Sequence, residues 1–361
     1  MEVIKDIDRR IELIKQVGEE ITTEEELREL LSAKKDLIAY DGFEPSGNMH
    51  IAQGIMRVIN VNKMVKAGFR FKILVADWHA WANNKMGGNL EQIQTVGKYF
   101  IETWKAAGMD MDNVEFIWAN DLVNDQDYWK VVMKVAINST VKRVVRCSQI
   151  MGRSESDALS ASQILYPCMQ AADIFYLKAD ICQLGMDQRK VNMLAREVGE
   201  KLGYYKPIVV SHHMLAGLGQ PPKAESVEEK VMKMKMSKSD PDTAIFMTDT
   251  EEQIKSKINK AFCPEKISEG NPILEYSKYI IFEKFDAMKI ERPEKFGGNL
   301  EIKSYDELEK IFVEGRLHPA DLKKAVAYYL NELIKPVREH FENNKEAKAL
   351  KEKVMSFKVT R

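Results

Sequence analysis

The stretch KMKMSKSDPDTAIFMTD, Lys233 to Asp249, sets three lysines, two serines and an Asp-Pro among alternating methionines. Two readings are open from these residues alone. An edge strand of period two would bury Met234 and Met236 and leave Lys233, Lys235 and Lys238 as a solvated face. A basic loop would instead wrap a polyphosphate, because lysine ammonium groups are compact point charges suited to phosphate oxygens. A second cluster is YDGFEPSGNMHIAQG, Tyr40 to Gly54. There Gly42 and Gly47 permit a close turn, Ser46 and Asn48 suit a loop, and His50 enters the first turn of the following helix, either facing a ligand or merely capping it.

A third cluster is YPCMQAAD. Pro167 suits a first helical position, and Tyr166, Gln170 and Asp173 then share one helix face at i, i+4 and i+7. Their neighbours Ile164, Leu165, Met169 and Ile174 are apolar. Burying a phenol, an amide and a carboxylate there without partners would cost about 1–3 kcal/mol each. They therefore either bond to one another and the backbone, or line a pocket for a small polar molecule; a zwitterion with its own polar end would use all three. In GMDQRK, Gly185 to Lys190, Gln188 is placed to face such a pocket and Arg189 something anionic outside it.

The elements that must position these groups alternate. Apolar residues at helical spacing over 5–20 precede a capping box, Thr23 with Glu26, that starts a second short helix. Strands are expected at LIAY (37–40), FKILVAD, VEFIWAN, DICQLG and KPIVVSHH, separated by helices, with helices from about 124 to 150 as an insertion. Unbroken apolar strands separated by helices imply βαβ units and a parallel sheet covered on both faces. The fold class is α/β, a doubly wound parallel sheet with a helical insertion, followed by a mainly helical C-terminal domain. Thr250 with Gln253, Ser304 with Glu307 and a long pattern from Pro319 into the 340s mark the later helices. The boundary is placed at 248, giving domains 1–248 and 249–361.

Composition bounds the partners. Of 361 residues 45% are hydrophobic and 30% charged, as in an ordinary globular protein. A formal net charge of -1 means that nucleic acid would have to meet local basic patches. Cys147, Cys168, Cys182 and Cys263 form no CxxC pair and have no nearby histidine at metal-ligand spacing, which argues against a zinc site and a disulfide framework and for a reducing compartment. No apolar run approaches the ~18 residues of a membrane span, so a cytoplasmic protein with no membrane partner is expected.

HIAQ, His50 to Gln53, stands where class I aminoacyl-tRNA synthetases carry their HIGH motif, and KMSKS, Lys235 to Ser239, follows in the required order. YDGFEPSG, YPCMQAADIFYLKAD, GMDQRKVNMLARE, RPEKFGG and LHPADLK resemble the tyrosyl-tRNA synthetases of archaeal and eukaryotic type, from about residue 20 to about 340. Two motif positions depart: Ala52 is third, where glycine would let adenine approach closely, and Gln53 is fourth in place of a second histidine. SDPDTAIF also resembles the tryptophan branch, but Tyr40 with Asp173 suits a hydroxyl better than an indole nitrogen.

The resemblance implies a Rossmann-like domain that joins tyrosine and ATP into tyrosyl-adenylate and passes tyrosine to the 3′ end of tRNA(Tyr). It implies His50, Gln53, Lys235 and Lys238 as the catalytic set. Gly42, Ser46, Gly47, His50, Met236, Ser237 and Lys238 would hold ATP, with Mg²⁺ bridging its phosphates through substrate oxygens and water. Tyr40 and Asp173 would hold the substrate hydroxyl, and Tyr166, Gln170 and Gln188 its α-amino group. His79 would flank the ring; its other reading is a core histidine beside Trp78. Arg146 and Arg189 would read the first acceptor base pair, Phe296 and Asp321 the first anticodon base. A homodimer is implied, with the insertion at its interface.

Overall fold

The computed structural model describes residues 3–152, 158–221 and 241–357. Its strands are β1 (Gly18–Thr22), β2 (Leu37–Phe43), β3 (Phe69–Val75), β4 (Val114–Trp118), β5 (Ile181–Cys182), β6 (Ile208–His212), β7 (Met288–Ile290) and β8 (Leu300–Ile302). The first six form one sheet in the order β1-β6-β5-β2-β3-β4, while β7 and β8 form a separate hairpin. All neighbours in the six-stranded sheet are parallel except β1, which runs antiparallel to β6. From β2 the chain winds outward through β3 to β4, and from β5 it winds the other way to β6. The reversal lies between β2 and β5, where open α/β sheets bind ligands beyond the strands' carboxyl ends.

Helices α1 (Ile7–Lys15), α2 (Glu24–Ala33), α3 (Ile55–Lys66), α4 (Asp77–Ala82), α5 (Leu90–Ala106), α6 (Ala119–Val123), α7 (Gln126–Ile137), α8 (Val141–Val145), α9 (Ala161–Tyr176) and α10 (Arg189–Gly199) surround the sheet. Alternation along β2 shows why both faces need cover. Leu37, Ala39 and Phe43 enter a core with Val58, Phe71, Phe100 and Trp104, whereas Ile38 and Tyr40 enter a second with Val132, Ala172 and Leu194. The first core continues into the C-terminal helices through Ile254, Leu330 and Phe341. Helix Pro319–Asn343 packs on Glu251–Lys260, and Lys345–Met355 packs on α5.

Several expectations change. The helical spacing expected over 5–20 ends early: α1 stops at Lys15, and Gly18–Thr22 forms β1, an edge strand half-exposed along most of its length and so without the alternation that marks a buried strand. The helix expected from GNMHIAQG starts only at Ile55, leaving His50 in an isolated antiparallel bridge with Phe246. Pro167 is not at a helix start. Helix α9 begins six residues earlier behind a capping box of Ser160 and Gln163, with Pro167 inside it, so the capping signal outweighed the proline. The capping boxes at Thr23 and Thr250 and the Ser304 cap are present.

Candidate active site

The face of α9 keeps its spacing, because an internal proline removes one amide donor without resetting the helical phase. Tyr166, Gln170 and Asp173 are 5%, 5% and 0% exposed, so their polar atoms must find partners within the protein or in a ligand. Asp173 Oδ1 accepts a hydrogen bond from the Tyr128 hydroxyl at 2.9 Å. Its Oδ2 lies 2.9 Å from His79 Nε2, yet neither atom has an aligned hydrogen-bond partner. The His79 ring meets Tyr166 edge to face at 5.2 Å. Gln170 Nε2 donates to Gln188 Oε1 at 3.0 Å, and Gln188 Nε2 donates to the Ile150 carbonyl at 3.1 Å. Gln170 Oε1 is buried without a partner.

The strand ends close this pocket. Tyr40, near the carboxyl end of β2, is 1% exposed, and a Cβ on Gly42 would come within 3.1 Å of its hydroxyl. Burial first, and then the Asp173 charge, push the Tyr40 and Tyr128 phenols well above their ordinary range. Burial and then Glu44, which accepts the Tyr166 hydrogen bond, do the same for Tyr166. All three are therefore neutral O–H donors at neutral pH. For His79, burial disfavours the charge, but the Asp173 carboxylate 2.9 Å away outweighs it and raises its pKa. The structure thus sets His79 against both Asp173 and Tyr166.

The nucleotide side is built from the β2–α3 turn. Gly47 has φ +97°, a conformation that L side chains rarely adopt. Asn48 Oδ1 accepts from the Met49 amide at 2.9 Å and the Tyr99 hydroxyl at 2.8 Å. His50 is 6% exposed and its carbonyl accepts from the amides of Gln53 and Gly54. Gln53 Oε1 is buried without a partner. Residues 244–247 lie alongside: Ile51 N donates to Ile245 O, and Met247 N to Met49 O. Gly54 is required there, since a Cβ would stand 2.3 Å from Met247 Sδ. Ser46 is half-buried. Lys235, Met236, Ser237 and Lys238 lie outside the described residues. Among the described residues no group of three or more His, Cys, Asp or Glu is arranged to hold a metal ion.

Beneath this turn is a buried network that sequence reasoning missed. Arg57 Nη1 lies 2.9 Å from Asp41 Oδ2 and donates to Gln183 Oε1 at 3.0 Å, while Nη2 lies 2.7 Å from His212 Nε2. Burial pushes Asp41 up to about 7 even against the Arg57 guanidinium. One signal was available: Arg57 interrupts the apolar run IMRVINV, and an arginine buried on a helix needs a partner. Tyr128 and Glu44 were also missed: Tyr128 belongs to no motif, and Glu44 stands within YDGFEPSG without having been singled out.

The expected RNA-facing residues are spread over the surface. Arg146, at the end of α8, is exposed, and Arg189, opening α10, is bound bidentately by Glu20 of β1 at 2.6 and 2.8 Å. Phe296 is 60% exposed on a turn closed by Gly297 and Gly298 at φ +95° and +69°, with Lys295 Nζ 4.9 Å from its ring. Asp321 sits in the first turn of helix Pro319–Asn343.

The family model described as tRNA synthetases class I (W and Y) matches residues 32–335. The chain belongs to this class I tRNA synthetase family. It is 53% identical to tyrosine--tRNA ligase 1, cytoplasmic, of Arabidopsis thaliana, over 99% of this chain and 91% of that one. Tyrosine--tRNA ligase 2 of the same plant is 52% identical over the whole chain but longer, and the chain spans 47% of it. The crystal structure of tyrosyl-tRNA synthetase complexed with L-tyrosine from Pyrococcus horikoshii superposes with a TM-score of 0.90 at 41% identity, over 96% and 99% of the two chains. This synthetase is therefore an aminoacyl-tRNA ligase of the tyrosine type with a Rossmann-like fold, and no described helix is long and apolar enough to cross a membrane.

Proposed function

We propose that the synthetase condenses L-tyrosine with ATP in the pocket between β2 and α9 and then esterifies the 3′ end of tRNA(Tyr). The observation that carries this reading is the buried Asp173 carboxylate, ringed by Tyr40, Tyr128 and His79, with Oδ2 lacking an aligned partner. A substrate phenol would donate to Asp173 and accept from the neutral Tyr40 hydroxyl. Gln170 Oε1, a buried acceptor without a partner, suits the α-ammonium group beside Tyr166 and Gln188. Phenylalanine would leave Asp173 and Tyr40 unpaired, and unpaired buried polar groups are costly.

In the first step the substrate carboxylate attacks the α-phosphorus and pyrophosphate leaves, so the protein needs no nucleophile of its own. Its contribution is positioning and charge compensation. The close turn at Gly42, Ser46 and Gly47 would receive the nucleotide. His50 would contact phosphate or ribose, Gln53 would assist through its unpartnered Oε1, and Lys235 and Lys238 would meet the phosphates, with Met236 and Ser237 supporting them. Mg²⁺ would arrive with the ATP phosphates.

For tRNA, exposed Arg146 and Arg189 suit the acceptor end, while exposed Phe296 offers a stacking surface and Asp321 a hydrogen-bond acceptor for an anticodon base. Met133, Ile137 and Val141 are 52%, 78% and 67% exposed along α7 and α8. A second copy would cover this apolar stripe, making a homodimer. We place the division between the catalytic and the anticodon-binding domain at 248, and the enzyme in the cytoplasm, as the name of its Arabidopsis relative has it.

The test is amino-acid-dependent exchange of labelled pyrophosphate into ATP. Exchange is expected with tyrosine and not with tryptophan or phenylalanine; exchange driven by tryptophan, or by no amino acid, overturns the reading.

A further inference from the structure

Asp173 has two oxygens, and a substrate phenol needs one of them. Which one is left is decided by Tyr128, which lies not on the α9 pocket face but on α7 of the insertion, 45 residues earlier in the chain. Its hydroxyl donates to Oδ1 at 2.9 Å, and its ring is completely buried. The ring is clamped edge-on by Trp129 at 5.8 Å and by Tyr176 at 5.5 Å and 89°. The Tyr176 hydroxyl in turn donates to Asp125, the residue that caps α7. So α7 and α9 are joined at Tyr128 and again through Tyr176, and the Tyr128 hydroxyl has little freedom to point elsewhere.

We infer that Tyr128 is a positioning residue for amino-acid selection, holding the Asp173 carboxylate by Oδ1 so that Oδ2 faces the substrate hydroxyl. The inference rests on the pocket assignment made above and adds a residue to it. Without the donor, a terminal carboxylate torsion is broad and nearly two-fold, so Asp173 would be free to rotate and offer either oxygen to His79 and the neighbouring phenols. Its acceptor would then be shared instead of directed. His79 already lies 2.9 Å from Oδ2, so it flanks the oxygen left for the substrate while Tyr128 fixes the other. Hydrogen bonds to a charged group are the stronger kind, so a misdirected carboxylate should be felt mainly by the substrate that carries a hydroxyl.

The experiment is pyrophosphate exchange by full-length Tyr128→Phe with tyrosine and with phenylalanine, beside wild type and Tyr176→Phe. Tyr128→Phe is expected to raise the KM for tyrosine about ten-fold or more. The KM for ATP should hold, phenylalanine should be little affected, and the preference for tyrosine should narrow by the same factor. Tyr176→Phe loosens the α7 anchor without touching Asp173 and is expected to keep the wild-type preference. If it narrows the preference as much as Tyr128→Phe does, packing and not the hydrogen bond is responsible and the assignment fails. Tyr128→Leu, also without a donor, replaces the Phe variant if that does not fold. A folded variant of either kind with wild-type tyrosine KM and preference overturns the role of Tyr128 while leaving the pocket intact. Absence of tyrosine-dependent exchange in the wild type removes the pocket assignment itself.

Discussion

His213 makes a quantitative prediction about what holds the C-terminal helices to the sheet. It follows β6 directly and is 20% exposed; one ring nitrogen lies 3.4 Å from Glu19 of β1 and the other 3.3 Å from Glu275 of helix Pro272–Tyr276. Tyr279 stacks on the ring at 4.2 Å and 9°. Burial alone would lower the imidazole pKa, but hydrogen bonds to Glu19 and Glu275 and then their charges raise it from 6.5 to about 9. Because the folded-state pKa is the higher one, the folded protein holds the proton that the unfolded chain releases. The stabilisation is complete below pH about 6.5, shrinks as pH rises, and is gone above about 9. At about 1.4 kcal/mol per pH unit the ceiling is about 3 kcal/mol, a fall in Tm of several degrees for a chain of this size. Thermal melts in half-unit pH steps from 6 to 10 should show that fall in wild type and a flatter profile in His213→Asn. Parallel profiles for the two proteins would refute the clamp.

Asp173→Ala should abolish tyrosine-dependent exchange and also cost about 1–3 kcal/mol, because the Tyr128 hydroxyl and His79 lose their buried partner; wild-type discrimination against phenylalanine would remove Asp173 from the pocket. Lys238→Ala should slow adenylate formation while leaving tyrosine affinity, measured by equilibrium titration, unchanged; a large loss of tyrosine affinity contradicts a phosphate role. Gly54→Ala drives a Cβ against the fully buried Met247, so it should cost about 1–3 kcal/mol and reduce exchange, and an unchanged Tm and rate would show that the contact yields freely. Phe296→Ala should leave exchange and Tm intact but lower tRNA charging, and equal charging would exclude a stacking role.

Local pattern made the architecture legible. Apolar strands such as FKILVAD alternate with amphipathic helices, and their burial on two faces follows from the alternation itself. The i, i+4, i+7 spacing of Tyr166, Gln170 and Asp173 was visible for the same reason, since a helix fixes which side chains share a face. What stayed hidden depends on distance along the chain. Tyr128 reaches Asp173 across 45 residues, and Arg57 reaches Gln183 across 126; no local period encodes such pairs. β1 was missed because an edge strand hydrogen-bonded on one side carries little burial contrast. His50 was placed one turn too deep in its helix because its bridge to Phe246 comes from the far side of the signature stretch.

The register of β1 against β6 shifts between Gly18, opposite His212, and Glu20, opposite Ser211, which leaves Glu19 as the extra residue of a bulge. A bulge re-aims its odd side chain while the ladder continues, so Glu19 turns to His213 and Glu20 stays in line to hold Arg189. Losing Glu19 by deletion would therefore be an unusual lesion. The strand would pair more regularly than before, with Glu20 still opposite Ser211, yet one anchor of the C-terminal helices would vanish. A deletion of one residue at an unobtrusive sheet edge would thus leave the ladder intact while releasing a contact toward the remote C-terminal helices.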